Sequence, residues 1–211
     1  MSIPSIQSPG FSYETRAFEL LQGEESLTIE ALHEARLEDR IVEPYFAQIW
    51  PACQVLSEIL KNREPSWKGL SVLELGCGLA VPSMWLAKWG ANVIATDGHP
   101  EVPAFLTKNL EINGLSDRVR FENLDWESSE VRSLGNFDWI IASEILYDED
   151  QVKALAFALS ILRGPKTKTL IIDPGRPYLE TFLEALHTSL GVRVGLKNQT
   201  VKGRNYCLID F

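Results

Sequence analysis

The chain has 211 residues and a net charge of −9, from 20 basic and 29 acidic residues. That length suits one domain, and the 45% hydrophobic and 23% charged content is that of an ordinary globular chain. The acidic balance argues against duplex DNA or bulk RNA, because phosphate binding needs clustered Lys and Arg; it suits a basic protein or a cationic small substrate.

Residues 1–12, with Pro4, Pro9 and Gly10, read as a loose leader. MSIPSIQSPG has neither a basic stretch nor an apolar one, so it does not read as a signal peptide. Residues 16–22 and 26–33 flank Gly23-Glu24-Glu25, and alternation of Leu27, Ile29 and Ala31 predicts a hairpin. In IWPACQVLSEIL, Pro51 opens a helix whose apolar stripe is Val55, Leu56, Ile59 and Leu60; Arg63-Glu64-Pro65 ends it. From Ser71 the pattern becomes regular. Strands are predicted at 71–75, 92–97, 118–123, 137–143 and 169–173. Helices are predicted at 80–89, 100–112, 149–162 and 177–190, closed by Gly90, Asn113-Gly114 and Gly191 where such residues follow. Two last strands, 192–197 and 205–211, share a short link holding Gly203.

Strand–helix alternation implies an α/β doubly wound, mostly parallel sheet with helices on both faces. The last link is too short for a crossover, so the final pair is an antiparallel C-terminal strand pair. Residues 1–50 are expected to form a leader and hairpin/lid extension, and 51–211 the main domain. Cys53, Cys77 and Cys207 are odd in number and lack C-x-x-C spacing, which suits a reduced, cytoplasmic setting. His33, His99 and His187 lie in unrelated segments, so no metal site is expected. No apolar run approaches the ~18 residues of a membrane span.

The first core strand runs into Glu74-Leu75-Gly76-Cys77-Gly78-Leu79-Ala80. Gly76 permits a tight turn, Gly78 leaves room for a ligand near the backbone, and the next helix points its positive end at that ligand. The second strand ends at Asp97, 19 residues past Gly78, where a carboxylate binds ribose hydroxyls. A nucleotide-type cofactor follows. A dinucleotide fingerprint would need Gly or Ala at position 81, which is Val81. An NAD-linked oxidoreductase is the reading from a different class.

E-L-G-C-G-L-A resembles motif I of the class I S-adenosylmethionine-dependent methyltransferases, a Rossmann-like fold with an antiparallel strand end. The resemblance implies S-adenosylmethionine as cofactor and S-adenosylhomocysteine as product. It implies that Asp97 holds the ribose, that Asp125 bonds the adenine amine, and that Trp126 covers the ring. Trp50-Pro51 and Ser143-Glu144-Ile145-Leu146-Tyr147 narrow the likeness to the family-16 protein lysine methyltransferases, whose (D/E)-x-x-(Y/F) signature matches Glu144 to Tyr147. Asp173-Pro174-Gly175-Arg176 is similar to the branch acting on the electron-transfer flavoprotein β-subunit. Motif coverage runs from about residue 45 to 180.

The expected acceptor is therefore a protein lysine, or a cationic or amine small molecule, with no nucleic acid and no membrane partner. Nucleobase enzymes carry an N-P-P-Y-like turn where this chain has S-E-I-L-Y. Glu144 and Tyr147 are the candidate catalytic residues, the carboxylate orienting the amine and the ring facing the cation. Whether the acceptor's proton leaves to water or to Glu144 stays open. Trp50, Glu74, Gly76, Gly78, Asp97, Asp125, Trp126 and Ser143 are the candidate cofactor contacts. Asp173 also reads as turn chemistry, Arg176 as a surface residue or a contact for an acidic substrate loop, and Asp148–Asp150 as a solvated helix start. Trp85, Trp89 and Trp139 read as core, and Trp67 as cover for a strand edge.

Overall fold

The computed structural model describes residues 11–37, 40–42, 44–191 and 194–211. The expected leader lies almost wholly outside the described residues. Strands β1 (Phe11–Gln22) and β2 (Glu25–Leu37) form the expected hairpin, longer than predicted, and a short β3 (Arg40–Val42) adds a third antiparallel strand. Then follow α1 (Pro51–Lys61), β4 (Ser71–Leu75), α2 (Val81–Lys88), β5 (Asn92–Asp97), α3 (Val102–Ile112) and β6 (Val119–Asn123). The chain continues through β7 (Trp139–Ser143), α4 (Glu149–Leu162), β8 (Lys168–Asp173), α5 (Leu179–Leu190), β9 (Gly195–Val201) and β10 (Arg204–Asp210).

The main sheet has seven strands in the order β6-β5-β4-β7-β8-β10-β9. The first five are parallel, and β10 pairs antiparallel with both β8 and β9. The mostly parallel sheet with an antiparallel C-terminal pair is thus borne out. The reading placed the first strand of that pair too early. β9 is an edge strand whose residues are nearly all exposed, so it carries no apolar alternation. Its turn is Lys202-Gly203, at φ +50° and +78°, the left-handed pair of a two-residue hairpin.

Alternation along the buried strands fills two layers. Val72, Ile141 and Leu170 face α1, α2 and α3, where Leu56, Met84, Trp85 and Phe105 pack together with Leu27 and Ile29 of the hairpin. Leu73, Ile140 and Ile171 face α4 and α5, against Leu155, Leu159, Phe182 and Leu186. Trp85 and Trp139 are core, as read; Trp89 is half-buried and donates to Glu25 Oε2 at 3.0 Å. Trp67 is buried against Trp139.

The hairpin is tied to α3 by two amides. Asn109 accepts from Glu30 N at 2.7 Å and donates to Glu30 O at 3.0 Å; Asn113 does the same with Thr28 at 2.9 and 2.7 Å. Side chains of a helix thereby complete the open edge of β2, which would otherwise leave backbone groups unpaired. Cys53, Cys77 and Cys207 are free thiols. No helix among the described residues is long and apolar enough to cross a membrane.

Candidate active site

The carboxyl ends of β4, β5, β6 and β7 open on a cleft of about 1270 Å³, which the segment before α1 covers from above. Ligands bind at this end of such sheets. Pockets for single small ligands usually measure about 300–1,000 Å³, so the cleft has room for a cofactor and an acceptor group together. Trp50, Gly76, Gly78, Asp97, Asp125, Trp126, Ser143, Glu144 and Tyr147 all line it.

At the end of β4 the backbone turns through left-handed conformations at Gly76 (φ +63°), Gly78 (φ +49°) and Ala80 (φ +53°). A Cβ at Gly76 would lie 2.6 Å from Ile145 Cγ2, and one at Gly78 would lie 2.9 Å from the Phe46 carbonyl oxygen. Gly78 is indeed bare for a close approach. What approaches its Cβ side is the protein's own backbone at Phe46, which leaves the rest of the loop to face the cleft. Asp97 Oδ2 accepts from Gly78 N at 2.9 Å and Oδ1 from His99 N at 2.8 Å. Each carboxylate oxygen keeps a second lone-pair direction, so the pair can still accept from two hydroxyls.

Asp125 is exposed at the end of β6 and accepts from Glu127 N at 3.0 Å. Trp126 is half-buried beneath the glycine turn, 3.6 Å from the Cβ position of Gly76. Its indole N–H is buried without a partner among the described residues. The Asp125 carboxylate offers an acceptor, and the Trp126 indole a flat apolar face, to a planar polar ring.

Glu74 is not brought to the cleft. It is 1% exposed, and its Oε2 accepts from Ser83 N at 3.0 Å and from the Ser83 hydroxyl. Helix α2 begins after Ala80, which has no capping side chain; Glu74 supplies that cap from the neighbouring strand. Burial pushes its carboxyl up to about 8, with Asp97 adding to the rise and the Ser83 hydrogen bonds opposing it.

Glu144 does face the cleft, held on both sides. It follows β7, donates its N–H to Ile172 O at 2.9 Å, and adopts φ +57°. That left-handed turn is uncommon for a residue with a Cβ, and marks a place where the fold imposes a conformation. Glu144 Oε1 accepts from Ala52 N in the first turn of α1 at 2.9 Å, and Oε2 from Arg176 Nη2 at 2.8 Å. Arg176 Nη1 reaches Asp173 Oδ2 at 3.1 Å, and Asp173 Oδ1 accepts from Gly175 N and Arg176 N at 2.9 and 2.7 Å. The turn reading of Asp173 is correct. Arg176, however, is an internal ion-pair partner rather than a free surface residue. Tyr147 is 58% exposed at the cleft mouth; partial burial, then Asp97 and Asp148, raise its phenol, and Arg176 opposes them. Asp148 caps α4, as its helix-start reading requires.

The sequence reading missed most of the cover. Trp50 donates to Tyr45 O at 2.9 Å and stacks on the Tyr45 ring at 5.8 Å. Phe46 stacks on His99 at 3.9 Å. Gln48, Glu101, Gln151 and Arg176 also line the cleft. Of these, Trp50 reads from sequence as a cofactor contact and Arg176 as a surface residue or substrate-loop contact; for the covering segment the further signal is the aromatic cluster Tyr45, Phe46 and Trp50, which carries no periodicity. The wall carries six carboxylates (Asp97, Glu101, Asp125, Glu127, Glu144, Asp150) against one guanidinium among the described residues, a field that favours a cation.

The lysine methyltransferase family matches residues 31–188. An electron transfer flavoprotein beta subunit lysine methyltransferase of Rattus norvegicus is 35% identical over 137 residues, covering 64% of this chain and 52% of that protein. The Xenopus laevis protein of the same name is 30% identical over 172 residues, covering 80% and 67%. The chain thus spans about half the length of the first of these relatives. Among solved structures, the T. Thermophilus 16S rRNA N2 G1207 methyltransferase superposes with a TM-score of 0.65 at 22% identity, covering 94% of this chain and 50% of that one; this likeness concerns the fold alone. The resemblance read from E-L-G-C-G and S-E-I-L-Y is borne out: the chain belongs to the lysine methyltransferase family.

Proposed function

We propose that the protein is an S-adenosylmethionine-dependent N-methyltransferase acting on a lysine side chain of a protein substrate. The observation that carries this is Glu144: a nearly buried carboxylate, fixed on both oxygens, opening on the same cleft as the glycine turn and Asp97. Residues 51–211 form the catalytic domain in this reading, and the hairpin with the segment up to Trp50 is its cover.

The wall fits the cofactor. The Gly76 and Gly78 turn borders the cleft with bare backbone, its shape fixed by close packing against Ile145 and Phe46, Asp97 has acceptor capacity left for the ribose, and Asp125 and Trp126 suit the adenine. Ser143 and Trp50 border the same space. Glu74 contributes indirectly, by fixing the start of α2. When bound, S-adenosylmethionine supplies an activated methyl group for in-line transfer to a nitrogen lone pair, the C–S bond breaking as the N–C bond forms.

The protein's task is then position, which can account for roughly 7–11 kcal/mol of such a barrier. A lysine enters as ammonium, with an ordinary pKa near ~10.4. The six carboxylates of the wall draw it in, and Tyr147 presents a ring face to it. Each Glu144 oxygen keeps one lone-pair direction for an N–H of the acceptor. We assign Glu144 orientation of the amine, with the proton leaving to water. The flavoprotein beta subunit named in the relatives is the first substrate to try.

Purified protein incubated with methyl-tritiated S-adenosylmethionine and a heat-treated lysate is expected to label protein bands. Glu144→Gln should lower the rate about 100-fold, the scale of a misplaced reactant. Label confined to small molecules would favour a small amine as acceptor. Binding of NAD without binding of S-adenosylmethionine would overturn the assignment.

A further inference from the structure

We infer that Arg176 is a positioning residue: its two-pronged guanidinium fixes the acceptor-facing carboxylate of Glu144 by tying it to buried Asp173. The inference rests on the reading of Glu144 given above.

Arg176 follows a tight turn after β8 and does not extend to solvent as a surface arginine would. Its side chain is 22% exposed, while those of its partners Glu144 and Asp173 are 7% and 0% exposed. One nitrogen takes Glu144 at 2.8 Å and the other takes Asp173 at 3.1 Å. Asp173 is itself immobilised by the N–H groups of Gly175 and Arg176, in a turn that needs Gly175 at φ +84°. The Glu144 carboxylate is therefore pinned between two rigid anchors: the start of α1 through Ala52, and the end of β8 through Arg176. Neither anchor comes from its own strand.

Charge counting gives the second argument. Two carboxylates and one guanidinium leave one net negative charge in the group, the complement of a single ammonium. Without the Arg176 guanidinium, two neighbouring anions would be held by backbone N–H groups alone, and Glu144 would keep only one of its two anchors. Lysine cannot replace arginine here, because one compact ammonium does not reproduce a planar fork that reaches two carboxylates in different directions.

A residue acting only through Glu144 makes a non-additive pair with it. The test compares wild type, R176Q, E144Q and the double variant, using methyl-tritiated S-adenosylmethionine and heat-treated lysate at acceptor concentrations below saturation. R176Q is expected to lower the rate at least about tenfold in the wild-type background and less than about twofold in E144Q. R176K should recover only part of the loss. Equal fold-losses in both backgrounds would overturn the inference, as would full activity of R176Q. If wild type labels nothing, the methyltransferase reading fails on its own. Thermal melting of the same four proteins then reads the coupling without turnover: non-additive losses support the tie, and additive losses refute it.

Discussion

Two carboxylates, Glu74 and Glu144, do related work in different places. Helices α1 and α2 both begin with a residue that cannot cap them, Trp50 and Ala80, followed by a proline in the first turn. In each case a glutamate from a neighbouring strand end accepts a first-turn N–H that the helix itself leaves unpaired. Glu144 does so at the cleft wall and keeps capacity for a ligand. Glu74 does so inside the protein, and that has a thermodynamic consequence. The unfolded chain ionises this carboxyl near 4.5, while the folded protein holds the proton up to about 8. The folded state therefore binds more protons across that window, and the contribution is lost as pH rises through it. One such group costs at most about 1.4 kcal/mol per pH unit. Urea unfolding at several pH values from 5 to 8 should show stability falling with pH in the wild type. The fall should be flatter by about that slope in E74Q. Parallel curves for the two proteins would contradict the assignment.

Among the elements, two amides of α3 and its C-terminal cap hold the hairpin to the main domain. Strand β2 exposes the N–H and C=O of Thr28 and Glu30 toward α3, and Asn113 and Asn109 satisfy them with paired bonds. Asn109 is fully buried, so its loss leaves two backbone groups of Glu30 unpaired. An unsatisfied buried group costs about 1–3 kcal/mol. N109A is thus expected to lose about 2–4 kcal/mol in urea unfolding, and amide hydrogen exchange at Glu30 should speed up selectively. A substitution that leaves Glu30 protected would show that β2 does not depend on this pairing. The sequence reading took Asn113 only as a helix stop. It does end α3, but its amide also reaches across to the hairpin, and no periodic pattern announces such a contact.

For the molecule as a whole, the legible parts were those governed by burial. Strands β4, β7 and β8 are buried along nearly their whole length because helices cover both faces, so their apolar runs stand out. Edge strand β9 lacked that signal, and β10 lies between β8 and β9 through a register that no local pattern encodes. In the site, Gly76, Gly78, Asp97 and Glu144 were legible because a strand end followed by special residues carries chemistry. Phe46 and His99 were not, because turns and a segment distant in sequence bring them there, and Arg176 reads from sequence as a surface residue or substrate-loop contact rather than as the partner of Glu144. The central claim joins these scales: a cleft lined by carboxylates on a methyltransferase sheet presents Glu144 to a lysine. The most direct measurement is tandem mass spectrometry of lysate proteins treated with the purified protein and methyl-labelled S-adenosylmethionine. The account predicts the label on a lysine Nζ of a protein, strongly reduced with E144Q. Label on arginine, histidine or small molecules alone, or lysine label undiminished in E144Q, would contradict it.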